Sequence, residues 1–251
     1  METIREDLII GRGPVMELLR SGREIECIYI QKELEGSVSK IVAIAREGRI
    51  PVKQVTRIKL DYLSAHGNHQ GIVAQTSGAR YSDMDDIYEK AGDAPLLVVL
   101  VDGVEDPHNL GAIIRTAEAA GAHGVVIPKR RNVGLTVTVV KASAGATEHI
   151  PIVRVPNLVS AMKELREKGV WFYAADMDGA NWIETDFSGG VGLVMGSEGS
   201  GVSRLVRENC DFAVSIPMHG KISSLNVSVA SGILLYEIAR QRSDKWRLKA
   251  N

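Results

Sequence analysis

Residues 104–121 read VEDPHNLGAIIRTAEAAG, and the change of hydrophobic period at this stretch decides the fold. Just upstream, Leu96–Val101 is an apolar run that feeds a turn over Asp102–His108. Beyond the turn, Leu110, Ile113, Ile114, Ala117 and Gly121 recur at the i, i+3, i+4 spacing of a core-facing helical stripe. A buried strand therefore gives way to a helix. Gly111 and Arg115 lie four apart on a different flank, which predicts a guanidinium standing over a spot with no side chain. A site for an anion or polar substrate asks for that arrangement; a capped helix with a solvated arginine is the plainer alternative.

Two later segments have the same build. Residues 194–201 read VMGSEGSG, an apolar run entering three glycines within six positions. Residues 216–230 read IPMHGKISSLNVSVA, a strand end, a glycine turn and then a helix. Each is a strand followed by a permissive loop, the arrangement by which open α/β sheets hold ligands at strand C-terminal ends.

The composition narrows the partners. With 30 Lys+Arg against 31 Asp+Glu the net charge is −1, so the chain is not a globally basic nucleic-acid binder. RNA binding would need local patches. Lys129, Arg130 and Arg131 form one candidate, and Arg12, Arg20 and Arg23 another; solvated charge runs are the alternative for both. Two cysteines, Cys27 and Cys210, are too few for a disulfide framework. The longest apolar run, Ala94–Val101, is too short to span a bilayer, and no apolar signal region opens the chain, so a cytoplasmic protein without membrane attachment is expected.

The chain divides into residues 1–76, a compact βα unit; 77–95, a polar linker with one helical turn near Asp85–Lys90; and 96–251, a larger α/β unit. In the first, a helix is expected over Pro14–Arg20, closed by Gly22, with strands at Glu24–Gln31, Val52–Val55 and Gly71–Gln75 and a helix at Ser39–Glu47. In the last, Asn157–Lys168 reads as a capped helix, and Val170–Ala175, Val191–Met195 and Phe212–Ile216 as strands of a mainly parallel sheet. His66 and His69 have ligand-like spacing but no Cys or carboxylate partner beside them in sequence, so no metal site is expected.

The three loop segments, in this order and about 80 and 20 residues apart, resemble the motifs of the SpoU/TrmH group of SPOUT RNA methyltransferases. The matching positions are Asp106, Pro107, Asn109, Gly111, Arg115, Thr116, Ala117 and Gly121; then Gly196, Glu198, Gly199 and Gly201; then Pro217, Met218, Gly220, Ser224, Leu225, Asn226, Val227 and Ser228. The resemblance implies a small ribosomal-protein-like N-terminal domain that binds RNA, and an α/β catalytic domain with a C-terminal trefoil knot. It implies methylation of a ribose 2′-hydroxyl with S-adenosyl-L-methionine (AdoMet) as donor, usually by a homodimer. The stretch 141–155, KASAGATEHIPIVRV, is most similar to the branch acting on guanosine of 23S rRNA; a tRNA substrate is the alternative.

Carried over position by position, the resemblance implies AdoMet contacts from Gly196, Ile216 and Leu225, with Met195, Gly201 and Met218 in the adjoining loops. It implies catalysis by Arg115, helped by Asn109, Glu198, Ser224 and Asn226. An arginine acting as base is awkward because its pKa exceeds about 12; binding the RNA phosphate beside the target ribose is the more conservative role. Plainer readings stand beside these: Asn226 and Ser224 as helix caps, and Glu198 as a solvent-facing loop residue. A nicotinamide-dependent oxidoreductase fits less well, since GSEGSG lies late and matches G-x-G-x-x-G only loosely. A non-catalytic RNA-binding module would not need Arg115, Glu198 and Asn226 together.

Overall fold

The computed structural model describes residues 7–21, 24–32 and 37–242. Gly22 and Arg23, expected to close the first helix and to extend a basic cluster, lie outside the described residues. By internal contacts the chain forms two compact units, Met1–Arg80 with Gly134–Thr138, and Tyr81–Val133 with Val139–Asn251.

The first unit runs β1 (Leu8–Ile10), α1 (Arg12–Arg20), β2 (Ile25–Gln31), α2 (Ser37–Glu47), β3 (Val52–Val55), α3 (Arg57–Leu63) and β4 (Ile72–Thr76). The sheet order is β1-β4-β2-β3, with β2 and β3 parallel and the other pairings antiparallel. The period of two along β4 sorts its side chains. Ile72 and Ala74 join Val15, Ile28 and Ile41 in one core, while Val73 meets Leu8 and Leu60 in the other. Helix α3 was not foreseen, because Leu60 is its sole buried residue; Thr56 caps it, its hydroxyl accepting from the Lys59 N–H at 3.3 Å.

From Tyr81 onward the order is α4 (Met84–Ala91), β5 (Leu97–Asp102), α5 (Pro107–Ala119), β6 (Gly124–Pro128), α6 (Val137–Ala142), β7 (Ile152–Val155), α7 (Leu158–Glu167), β8 (Val170–Asn181), β9 (Gly190–Gly196), α8 (Arg204–Glu208), β10 (Phe212–Ser215) and α9 (Val227–Arg242). The sheet is wholly parallel, in the order β10-β8-β9-β5-β6-β7. Val98, Leu100, Val126 and Val194 pack with Ile87 of α4 and Met162 and Leu165 of α7. The alternate residues Leu97, Val99 and Val101 are also closed to solvent, which is why these strands are apolar at every position. From β5 the chain steps to β6 and β7 on one side, while β8, β9 and β10 fill the other. The order therefore reverses between β5 and β9, whose C-terminal ends lie side by side with Asp102 opposite Gly196. Among the described residues no helix is long and apolar enough to cross a membrane.

Three expectations are corrected. The stretch expected to be a linker holds the full helix α4, opened by a capping box between Asp83 and Asp86 and anchored by the fully buried Ile87. From Tyr81 this stretch belongs to the second unit, and residues 77–80 to the first. Gly121 does not extend the apolar stripe; it lies past the end of α5 at φ +78°, where a helix commonly terminates. Gly111 does not open a spot beneath Arg115. It is buried, and a Cβ there would stand 2.4 Å from Cβ of Ala142 on α6, so packing of α5 on α6 demands the glycine.

Two consequences are measurable. Helix propensity alone favours Gly111→Ala by about 1 kcal/mol, but the overlap with Ala142 should reverse the sign and cost roughly 1–3 kcal/mol; urea unfolding reads that sign directly. The second concerns His123, whose Nδ1 accepts the Leu97 N–H at 2.9 Å. Burial, then Arg242 and Lys90, hold its pKa below the usual 6.5. A depressed histidine stabilises the fold above about pH 6.5, and this contribution is lost as pH falls through that value. The melting temperature of the wild type relative to His123→Gln should therefore drop between pH 7 and pH 5; a pH-independent difference would show an unperturbed imidazole.

Candidate active site

An open cleft of about 700 Å³ lies at the C-terminal ends of β5 and β9. Asp102 and Gly103 leave β5, Glu198 and Gly201 follow β9, and Asn109 comes from the first turn of α5. Each is placed by a local device. The Asp106 carboxylate accepts the His108 N–H at 2.9 Å, and Pro107 occupies the first helical position, so α5 starts at a fixed point. The loop after β9 folds on itself through paired Ser197–Gly201 backbone bonds, each 3.0 Å. Its exit is tied to β5, where the Ser203 N–H donates to Asp102 Oδ2 at 2.8 Å. The loop crosses so near the strand end that a Cβ on Gly196 would stand 2.1 Å from the Gly201 carbonyl carbon. No other residue fits at 196.

Three side chains close a ring. Asn109 Nδ2 donates to Glu198 Oε1 at 2.9 Å, and Asn226 Nδ2 donates to that oxygen at 2.5 Å and to Asn109 Oδ1 at 3.0 Å. Each residue belongs to a different one of the three loop segments. Asn226 also caps α9, its Oδ1 accepting the Ser228 N–H at 2.9 Å and the Ser228 hydroxyl at 2.6 Å. The capping and site readings of Asn226 thus describe one side chain used at both ends. Both amides spend donors on one carboxylate oxygen, which leaves Glu198 Oε2 without a hydrogen bond among the described residues.

The other candidates are placed differently. Arg115 is exposed on α5 and has no hydrogen bond or ion pair among the described residues. Six residues beyond Asn109, it lies about 9 Å along the helix axis. Ser224 is exposed and makes no bond to the ring. Met195 and Gly196 are buried under the loop, and Gly201 lines the cleft. Ile216, Met218 and Leu225 are partly buried in the segment between β10 and α9, outside the residues lining this cleft.

Two contributors escaped the reading of motifs. Asp102, read only as the start of the turn after Leu96–Val101, anchors the β9 loop. Arg131, noted only as part of a basic cluster, lines the cleft. Its loop is clamped to the β5 loop, since Asn132 Oδ1 accepts the Val104 N–H at 2.8 Å and the Val133 N–H donates to the Val104 carbonyl at 2.9 Å. Sequence spacing carries no signal for that contact.

The profile of the SpoU rRNA Methylase family matches residues 96–236, a span holding the whole ring. The chain belongs to this family. Residues 8–82 match a second profile, that of RNA 2′-O ribose methyltransferase substrate binding. A Bacillus subtilis protein assigned provisionally to the TrmH family of tRNA/rRNA methyltransferases is 44% identical over 244 residues, covering 95% of this chain and 97% of its own length. Among solved structures, the SpoU methyltransferase AviRb of Streptomyces viridochromogenes in complex with AdoMet is similar. It has 27% identity and a TM-score of 0.59, over 93% of this chain and 89% of that one. The A. aeolicus TrmH/SpoU tRNA modifying enzyme shares 32% identity with a TM-score of 0.55, over 64% of this chain and 82% of its own. Like these SpoU enzymes, the chain is an RNA methyltransferase with a mainly parallel α/β catalytic domain.

The doubled use of Asn226 can be tested. Asn226→Asp keeps an acceptor for the α9 cap but removes the donor and sets a second carboxylate against Glu198. The variant should lose roughly 1–3 kcal/mol at pH 7, as expected for breaking a hydrogen-bonded polar cluster, and regain part of it near pH 4–5 when one carboxyl protonates. No loss at pH 7, read by thermal unfolding, would show that the amide donors carry no weight.

Proposed function

We propose that the protein methylates a ribose 2′-hydroxyl of structured RNA with AdoMet as donor, on a guanosine of 23S rRNA in the manner of the RlmB type. The observation that carries this reading is the Asn109–Glu198–Asn226 ring, assembled by all three loop segments at the β5/β9 reversal. A tRNA ribose is the second substrate, favoured by the likeness to the A. aeolicus tRNA modifying enzyme.

The residues present fit the donor. Gly199, Ser200 and Gly201 expose backbone with little side-chain bulk, as close approach of a nucleoside requires, and Glu198 Oε2 is open. In this reading Gly196, Gly201 and Met195, with Ile216, Met218 and Leu225 from the segment before α9, hold AdoMet. When bound, it supplies an electrophilic methyl group on a sulfonium. The chain's own residues then have to present the ribose oxygen. Glu198, Asn109 and Asn226 form a fixed polar wall, and Ser224 adds a hydroxyl beside it. Arg115, whose guanidinium is exposed, takes the phosphate next to the target ribose and orients its 2′-oxygen. We further propose that the protein works as a homodimer through its second unit, with the first unit selecting the RNA.

Methyl transfer from radiolabelled AdoMet to 23S rRNA and to tRNA tests this, followed by alkaline hydrolysis. A 2′-O-methyl group blocks cleavage of its own phosphodiester, so label should appear in alkali-resistant dinucleotides from rRNA. Label confined to mononucleotides would mean base methylation and overturn the reading. Arg115→Ala should cut turnover by about 2–4 kcal/mol, the scale of losing one charge-stabilising donor, with AdoMet affinity by calorimetry unchanged. Loss of cofactor binding in that variant would contradict the division of labour.

A further inference from the structure

A second cleft, of about 780 Å³, lies wholly within the first unit. It is lined by Arg12, Arg57, Asp61 and the loop from His66 to Gly71. This loop, HGNHQG, contains the histidine pair that looked like metal ligands. His69 is buried and both its ring nitrogens are occupied: Nδ1 accepts the Gly71 N–H at 2.9 Å, and Nε2 meets Asp61 Oδ1 at 3.0 Å. The His69 ring therefore holds the loop.

What the loop is held in is costly. Ala65, His66 and Gln70 have φ of +47°, +61° and +49°, half of the six non-glycine residues with positive φ among the described residues, all within six positions. Such residues persist only where surroundings over-determine them, and they cluster at ligand sites. Here the surroundings are explicit. The Ser64 hydroxyl donates to the Asp61 and Gly67 carbonyls, the Arg12 N–H and Nε donate to Gln70 Oε1 and its carbonyl, and His69 bridges to α3. The result is a rigid loop that projects His66 and Asn68 into solvent beside the Arg57 guanidinium, which has no partner among the described residues. The same helix exposes Tyr62, with Lys59 Nζ 5.2 Å from its ring centroid.

We propose that this cleft is a subsite for one unpaired nucleotide of the RNA substrate. Arg57 takes its phosphate, and the polar edges of His66 and Asn68 meet its base. A concavity in the range of about 300–1,000 Å³ admits a single small ligand, whereas a paired helix offers no base that can enter it. Unstacked nucleotides are the usual target of base-reading RNA sites, and the exposed His66 ring lining the cleft with Arg57 suits the face of one. The proposal rests on the reading of the first unit as the RNA-selecting one and adds where and what it selects.

The test uses the full-length protein and two labelled probes: an RNA stem–loop with a ten-nucleotide loop, and a fully paired duplex of the same stem. Wild type should prefer the stem–loop at least tenfold. Arg57→Ala combined with Asn68→Ala should abolish that preference and flatten the salt dependence by about one phosphate contact. Arg46→Ala, an exposed charge on α2 outside the cleft, should leave both affinities unchanged. His66→Gly relieves the backbone strain, so it should raise the melting temperature while weakening the stem–loop, a pairing that a merely structural residue would not produce. Unaltered preference in the Arg57/Asn68 variant, or equal losses with Arg46→Ala, would overturn the subsite while leaving the RNA reading intact. Failure of wild type to bind either probe would overturn both.

Discussion

Everything in the second unit hangs on the parallel pairing of β5 with β9. These strands are adjacent in the sheet although β6, β7 and β8 come between them in the chain, and their pairing brings Asp102 opposite Gly196. Parallel strands buried on both faces can place polar groups only where they end, so the chemistry gathers at the C-terminal rim. The rim is then made rigid by short bonds between loops: Ser203 to Asp102, Asn132 to Val104, and the Ser197–Gly201 closure. None of these bonds belongs to a helix or a strand, yet together they hold the side chains of the ring.

The ring itself shows how neutral amides position a charge. Two asparagines donate to one oxygen of Glu198, which fixes the carboxylate without supplying a counter-charge. A cationic partner would have neutralised it. The arrangement leaves an oriented acceptor facing a polar cleft, a fixed dipolar environment that needs little rearrangement when a substrate enters.

How much of this could be read from residues depends on the range of the interaction involved. The apolar strands at Leu96–Val101 and Val191–Met195 and the stripe of α5 were readable, because burial on a regular element leaves a period. Asn109, Glu198 and Asn226 stood out through their motif setting, though nothing in their spacing shows that they touch. Helix α4 was read as a single turn in a linker because Ile87 alone buries fully among polar neighbours, and tertiary contact outweighed composition. Gly111 was misread for the opposite reason. Its partner Ala142 is distant in sequence, so a glycine required by helix packing looked like an opening for a ligand. Arg131 and Asp102 belong to the same class, being placed by loop-to-loop bonds that no local pattern encodes.

The hydrogen bonds of the ring span 28, 89 and 117 residues of chain. Asn226 is the last of the three to be synthesised. During synthesis, at about 5–20 residues per second, the parallel core through β9 can begin to assemble while the ring still lacks its third member. The ring therefore cannot close before Asn226 has been synthesised. A nascent chain that stops short of Asn226 holds Asn109 and Glu198 but no closed ring.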